Sequence, residues 1–255
     1  MRKNFMILVA AAMLLGTGLM SCERDDDNSS SSSSSSVGGG NGGGDNGGGS
    51  NSGGQTSARW VDLGLPSGLL WAECNVGASS PEDYGNYYAW GETTTKSVYN
   101  WNTYCHSNGD SDQLTKYCNV SNYGYNDYMD NLTILQPGDD VATVNMGSEW
   151  RTPTMEEWQE LIDNTQMART MQNGVYGIRY IASNGQSLFM PAAGYRWGGD
   201  ICYAGERGNY WTSSLYPYAP LYAWYFGFLV DGQNVYGHFD RFVGFSVRAV
   251  RTSLE

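Results

Sequence analysis

The side chains able to make and break bonds are few, and their spacing favours no reaction. Among 255 residues there are two His, at His106 and His238, and five Cys. No Cys-x-x-Cys or His-x-x-x-His spacing occurs, so a tetrahedral metal site has no local framework. Ser213 and Ser214 have no His near them in sequence, and a Ser-His-Asp set would need unsupported long-range pairing. Glu156/Glu157 and Asp139/Asp140 are adjacent acidic pairs. Two carboxyls acting on a sugar must stand about 5–9 Å apart across a cleft, which adjacency neither shows nor excludes. Simpler roles account for all four. Glu157 completes a capping box and Glu156 is a first-turn acid facing the helix dipole. Asp139-Asp140 begins a short helix after Pro137. We nominate no catalytic residue and no metal ligand.

Aromatic side chains are abundant instead. Trp197, Tyr203, Tyr216, Tyr218 and Tyr222 lie in segments rich in Gly and Pro, where no helical or strand period demands an aromatic. Tyr and Trp give large, rigid, amphipathic contact area on loops. They suit sugar faces and protein partners alike, so these five form the candidate ligand-binding set. The competing reading is that they cap the core beneath long loops. Trp71, Trp90, Trp158, Trp211 and Trp224 fall in patterned segments and are expected in the core.

Charge excludes one large class of partner. The chain carries 14 Lys+Arg against 26 Asp+Glu, a net of −12. A phosphate backbone needs a basic face, and no basic run exists, so nucleic acid is not expected as a partner. An acidic surface also disfavours anionic lipid head groups.

The chain divides sharply by composition. Arg2 and Lys3 precede an apolar run from Phe5 to Leu15, too short for a spanning helix of roughly twenty residues and of secretory-signal form. Leu19-Met20-Ser21-Cys22 resembles the lipobox of bacterial lipoproteins. That resemblance implies a signal peptide over 1–21, a lipid on Cys22, and membrane attachment through that lipid. Glu23-Arg24-Asp25-Asp26-Asp27 resembles the surface-export signal of Bacteroidetes lipoproteins, which implies an outer-membrane protein facing outward, a periplasm-facing one being the alternative. Residues 22–57 then read as a disordered tether. It is acidic first and Ser/Gly-rich after, with nothing to bury against the entropy of ordering. Its reach is on the order of 30–35 Å for a flexible coil of that length. All nine Trp and nineteen Tyr follow it. One globular domain is expected over 58–251, with 252–255 a short tail.

Four cysteines remain in the domain. An even count in an exported chain predicts two disulfides. Four cysteines allow three pairings. We expect Cys105–Cys118, nearest in sequence and flanking the polar Asn108-Gly109-Asp110 loop, with Cys74–Cys202 left by elimination. Buried free thiols are the alternative. No cofactor is expected, although the Asp/Asn-rich loop from Asn126-Asp127 to Asp130-Asn131 leaves a structural calcium open.

Turn signals set the expected elements. Asn184-Gly185 between Ile178–Ala182 and Ser187–Met190 predicts a hairpin, as does Asp231-Gly232 between Trp224–Val230 and Asn234–Tyr236. Leu69–Trp71 is an early strand, and the alternation of Phe245–Val250 predicts a closing one. Thr154-x-x-Glu157 opens a helix burying Met155, Trp158, Leu161 and Ile162. A second, shorter helix is expected from Ser80-Pro81. Short strands with little helix read as α+β.

Together these segments resemble a known family. Val61-Asp62-Leu63-Gly64-Leu65-Pro66-Ser67-Gly68-Leu69-Leu70-Trp71-Ala72 resembles the opening of the Fibrobacter succinogenes major paralogous domain. So do Tyr88-Ala89-Trp90-Gly91-Glu92, Trp150-Arg151-Thr152-Pro153-Thr154 with Glu157-Trp158, Pro191-Ala192-Ala193-Gly194-Tyr195, Tyr210-Trp211-Thr212-Ser213-Ser214 and Ser246-Val247-Arg248-Ala249-Val250-Arg251. The Arg-Thr-Pro-Thr and Trp-Thr-Ser elements are also similar to the formylglycine-generating enzyme superfamily. That resemblance implies a C-type lectin-like domain, loop-rich with a small twisted antiparallel sheet. Those enzymes work through a cysteine pair just before the closing strand. The matching stretch here, Gly232 to Gly244, has no cysteine, so their catalytic residues do not carry over. Gln136-Pro137-Gly138-Asp139 is close to a lectin sugar motif, but Gly138 breaks its spacing. The expected function is non-catalytic: a lipid-anchored module binding an extracellular glycan or protein, with a structural or adhesin subunit of a surface assembly as the alternative.

Overall fold

The computed structural model describes residues 59–252. The signal segment, Cys22 and the tether lie outside the described residues. The described part opens with β1 (Trp60–Asp62) and β2 (Leu69–Ala72), an antiparallel pair. The expected helix at Ser80-Pro81 is a turn. The Asp83 carboxylate takes the N–H groups of Ser79 and Ser80 at 3.3 and 3.0 Å, and the Asp83 N–H returns to the Ser80 carbonyl. These bonds close the chain on itself after one turn. A long loop region with single 3₁₀ turns follows.

Two α-helices come next. In α1 (Val141–Met146) the Asp140 carboxylate accepts from the Ala142 and Thr143 N–H groups, as the acids after Pro137 predict. In α2 (Met155–Asp163) the expected capping box is present. The Glu157 N–H meets the Thr154 hydroxyl at 3.3 Å, and Glu157 takes the Thr154 N–H at 2.8 Å. Trp158 and Leu161 are its buried face.

The rest is antiparallel sheet. β3 (Thr165–Gln172), β4 (Val175–Ala182) and β5 (Ser187–Pro191) make one three-stranded sheet. Asn184-Gly185 turns β4 into β5, as expected. A second Asn-Gly, Asn173-Gly174, turns β3 into β4 with φ of +48° and +85°, the left-handed geometry such turns need. β3 is missing from the sequence reading because its residues are mostly polar and no apolar alternation marks it. β6 (Tyr195–Trp197) pairs with β7 (Asp200–Cys202). β8 (Arg207–Leu215), β9 (Tyr222–Leu229) and β10 (Asn234–Asp240) form a sheet in the order β10-β9-β8.

The closing strand differs from expectation. Only β11 (Val250–Thr252) is regular, pairing with β2. Phe245–Ala249 is extended but shares its main chain among several segments. The Phe245 N–H bonds the Tyr88 carbonyl and the Ser246 N–H that of Asn209, while Val247 and Ala249 carbonyls accept from Val76 and Ala72. The polar positions of the alternation are buried too. Arg248 is fully enclosed, and its guanidinium donates to Asn75 Oδ1, Ala72 O and Glu73 O. The alternation marks two different interiors here, not one interior and one solvent face.

The apolar core joins α2 to the sheets. The Trp158 ring lies 4.5 Å from Phe226, 4.7 Å from Trp71 and 5.7 Å from Tyr210. Trp71, Trp90, Trp158 and Trp211 are buried as expected.

Candidate functional site

The strand period lays out a partly exposed aromatic surface. Along β9, Tyr222, Trp224, Phe226 and Phe228 share one face, since alternate side chains point the same way. Phe226 and Phe228 belong to the core. Trp224 and Tyr222 continue that face past the end of the core, where they are only half-buried. Across the strand, β10 sets Tyr236 opposite Phe226, His238 opposite Trp224 and Asp240 opposite Tyr222.

The preceding loop completes the surface. The Tyr216 N–H bonds the Tyr222 carbonyl, and the Tyr222 N–H bonds that of Ala219. This tight return lays the Tyr216 ring flat on His238, with centroids 3.9 Å apart and planes 15° apart. Tyr216 also meets Trp224 edge-on at 5.0 Å and Tyr218 at 5.5 Å. Tyr218 is 80% exposed. The result is a contiguous patch of Tyr216, Tyr218, Tyr222, Trp224 and His238 with the Asp240 carboxyl at one end.

Its electrostatics are mild. Burial lowers the His238 imidazole below its ordinary range, so it is neutral at pH 7. Burial raises the Asp240 carboxyl to about 6. Burial first, and the Asp240 charge second, raise the Tyr222 phenol. The patch therefore offers flat apolar rings, phenol and imidazole donors and acceptors, and one acid that titrates near neutrality.

The five aromatics read from the sequence do not form one site. Tyr216, Tyr218 and Tyr222 are brought together. Trp197 lies on the opposite face of the sheet, against Phe239 at 6.0 Å and Phe242 at 4.9 Å. Trp101 packs edge-on to the same Phe242 at 5.2 Å. Tyr203, at φ +55°, rests on Tyr195 and lies under the Arg207 guanidinium at 4.0 Å. Trp224, expected in the core, belongs to the patch. His238 was missed altogether. The signal for both was the alternation of β9 and β10, but a strand pattern does not tell where the core beneath it stops.

The disulfide framework is corrected. Cys74, Cys105 and Cys118 are free thiols, so neither Cys105–Cys118 nor Cys74–Cys202 forms. Cys202, buried at the end of β7, is not among the free thiols. The ladder explains the first failure. Ser107 pairs with Leu114, and the Thr115 N–H bonds the His106 carbonyl. Carried back two residues, that register sets Lys116 opposite Cys105. Cys118 sits instead inside the turn, its thiol 3.2 Å from the Val120 carbonyl.

Other sequence candidates have internal work. The Asp139 carboxylate takes the Lys116 ammonium and the Tyr117 hydroxyl. Asp130 accepts the N–H groups of Tyr117, Cys118 and Leu132 at 2.8–3.1 Å, so the carboxylate of the Asp/Asn-rich loop staples the backbone. Among the described residues no group of three or more His, Cys, Asp or Glu is placed to hold an ion. Among the described hydrogen bonds neither imidazole meets a serine: His106 Nε2 contacts the Gly91 carbonyl at 2.9 Å. Ser213 is buried, its N–H on the Pro153 carbonyl.

One fully buried charge stands behind the patch. Arg241, next after β10, donates to Tyr104 Oη and to the carbonyls of Tyr117, Pro220 and Lys116, between the rings of Trp90 and Tyr104. It ties the loop region to the end of β10 and to the loop carrying Tyr216 and Tyr218.

No family model, curated protein or solved structure matches the chain.

Proposed function

We propose that this chain is a non-catalytic, surface-presented lipoprotein whose folded part binds an extracellular ligand, glycan or protein, on the Tyr216–Tyr218–Tyr222–Trp224–His238 patch. One observation carries the reading. An aromatic strand face runs out of the core into solvent and is extended there by Tyr218, at 80% exposure. Contiguous exposed aromatic area on a folded domain marks an interaction surface. Attachment through Cys22, outward display on the outer membrane and the long tether rest on the sequence reading, and they suit a module that must reach an external partner. The alternative is an adhesin or structural subunit of a surface assembly, for which the same patch would be the contact.

The family reading is likewise a proposal, a lipoprotein of the Fibrobacter succinogenes major paralogous domain type with a C-type lectin-like fold. It is supported by how the motif residues interlock. Trp90 Nε1 donates to the Thr212 carbonyl and Trp211 Nε1 to that of Tyr88, both at 2.8 Å. The Thr152 hydroxyl reaches Asp140, and the Arg151 N–H bonds the Val250 carbonyl. The small antiparallel sheets and long loops agree with it.

The test is Trp224→Ala and Tyr218→Ala in the full chain, read on a glycan array and by capture from an outer-membrane fraction. Each should weaken binding by more than about 1 kcal/mol if it is an anchor. Trp197→Ala, on the opposite face, should leave binding of a glycan to the patch unchanged. Full binding by both patch variants would remove this surface from consideration.

A further inference from the structure

β10 is the outer strand of its sheet. Two bonds fix which of its main-chain groups face inward. The Leu229 N–H bonds the Gln233 carbonyl at the turn, and the Arg241 N–H bonds the Leu221 carbonyl at the far end. The register between them is unbroken. Antiparallel pairing alternates, so Val235, Gly237 and Phe239 bond to β9. Asn234, Tyr236 and His238 turn their N–H and C=O groups outward. Among the described residues no main-chain bond reaches the outward groups of Tyr236 or His238.

Natural sheets guard such edges with Lys, Pro, bulges or short strands. β10 has seven residues, no Lys and no Pro. It runs without a bulge, whereas β8 breaks register between Trp211 and Leu215. Aromatics flank the edge on both sides, with Tyr216, Trp224 and His238 on one face and Trp197 and Phe239 on the other.

We infer that the free edge of β10 takes an extended, basic peptide segment of a partner protein by strand addition, its alternate side chains meeting the two aromatic flanks. Strand addition draws affinity from the main chain and specificity from alternate side chains. The inference rests on the aromatic patch being the binding surface. Charge selects the partner. Asp231 and Asp240 bracket the edge, and the chain is net −12.

The probe is a synthetic octapeptide of alternating Val and Thr with Lys at both ends, compared with the same peptide ending in Glu. Amide exchange is followed by NMR on the unaltered full chain. The Lys peptide should slow exchange of the Tyr236 and His238 amides at least tenfold, and the Glu peptide should not. His238→Pro, which deletes the outward N–H together with the imidazole, should abolish binding, while His238→Ala, which loses the imidazole alone, should retain part of it. No protection by the Lys peptide at millimolar concentration overturns the inference. So does a peptide or glycan whose binding is lost in Trp224→Ala and intact in His238→Pro, an outcome that leaves the patch standing without strand addition. Full binding of the Lys peptide in Trp224→Ala removes the patch, and with it the flank on which this inference rests.

Discussion

At the scale of single residues, the strongest dependence is on Arg241. Its guanidinium is wholly buried and satisfied by three carbonyls and a phenol instead of a carboxylate. Arg241→Met would leave those oxygens unpaired, at about 1–3 kcal/mol for each one that stays buried. Urea denaturation should therefore show a loss of at least about 3 kcal/mol. Asp240 gives a pH signature. Its carboxyl, ordinarily near 3.8, is raised to about 6 by burial. The folded state thus holds this proton more tightly than the unfolded one. The stability it contributes is present below the ordinary value and is lost as pH rises through about 6. Denaturation midpoints measured across that window should fall for the native chain and stay flatter in Asp240→Asn. Cys105 looks reactive because it reaches the surface, yet its thiol is pushed up to about 12, by desolvation first and by the Glu92 carboxylate second. Iodoacetamide at pH 8 should modify it slowly, and faster in Glu92→Gln. Equal rates would disprove the electrostatic restraint.

At the scale of elements, α2 carries two separable contributions. Thr154→Ala removes the cap and should cost about 1 kcal/mol. Trp158→Ala empties the contact among Trp71, Tyr210 and Phe226 and should cost roughly 3–5 kcal/mol. A thermal melt distinguishes them. Both contributions were legible in the sequence, because a capping box and a helical apolar stripe are local. The hairpins at Asn184-Gly185 and Asp231-Gly232 were legible for the same reason. β3 was not, since a polar strand is specified by its partner β4 and by its turn. The Phe245–Ala249 segment shows a deeper limit. Its alternation was visible, but Arg248 and Ser246 are buried against Asn75, Ala72 and Tyr84, partners more than 160 residues away in the chain. The site was half legible. Loop chemistry pointed to Tyr216, Tyr218 and Tyr222. Trp224 and His238 required knowing where α2 and the core end beneath the sheet. Trp197 and Tyr203 fell away because the sheet separates two loops that look alike in sequence.

At the scale of the whole molecule, the last segment of the chain completes its centre. Phe245–Ala249 joins main-chain groups of the first loops to β8, and β11 closes on β2 beside β1. The first and last strands of the domain flank β2 in one sheet, and every residue from Arg241 to Val250 is buried. A chain emerging from a ribosome therefore has no complete interior until the segment up to Val250 is out. Non-local pairing of this kind folds slowly. A stop codon at Arg248 should leave an unfolded, protease-sensitive product, and a native-like near-UV spectrum from that truncation would contradict this. The wiring that makes the domain late to fold also keeps it threadable, which suits the export proposed above. A domain exported as proposed is served by a structure whose joining segment is made after the parts it joins.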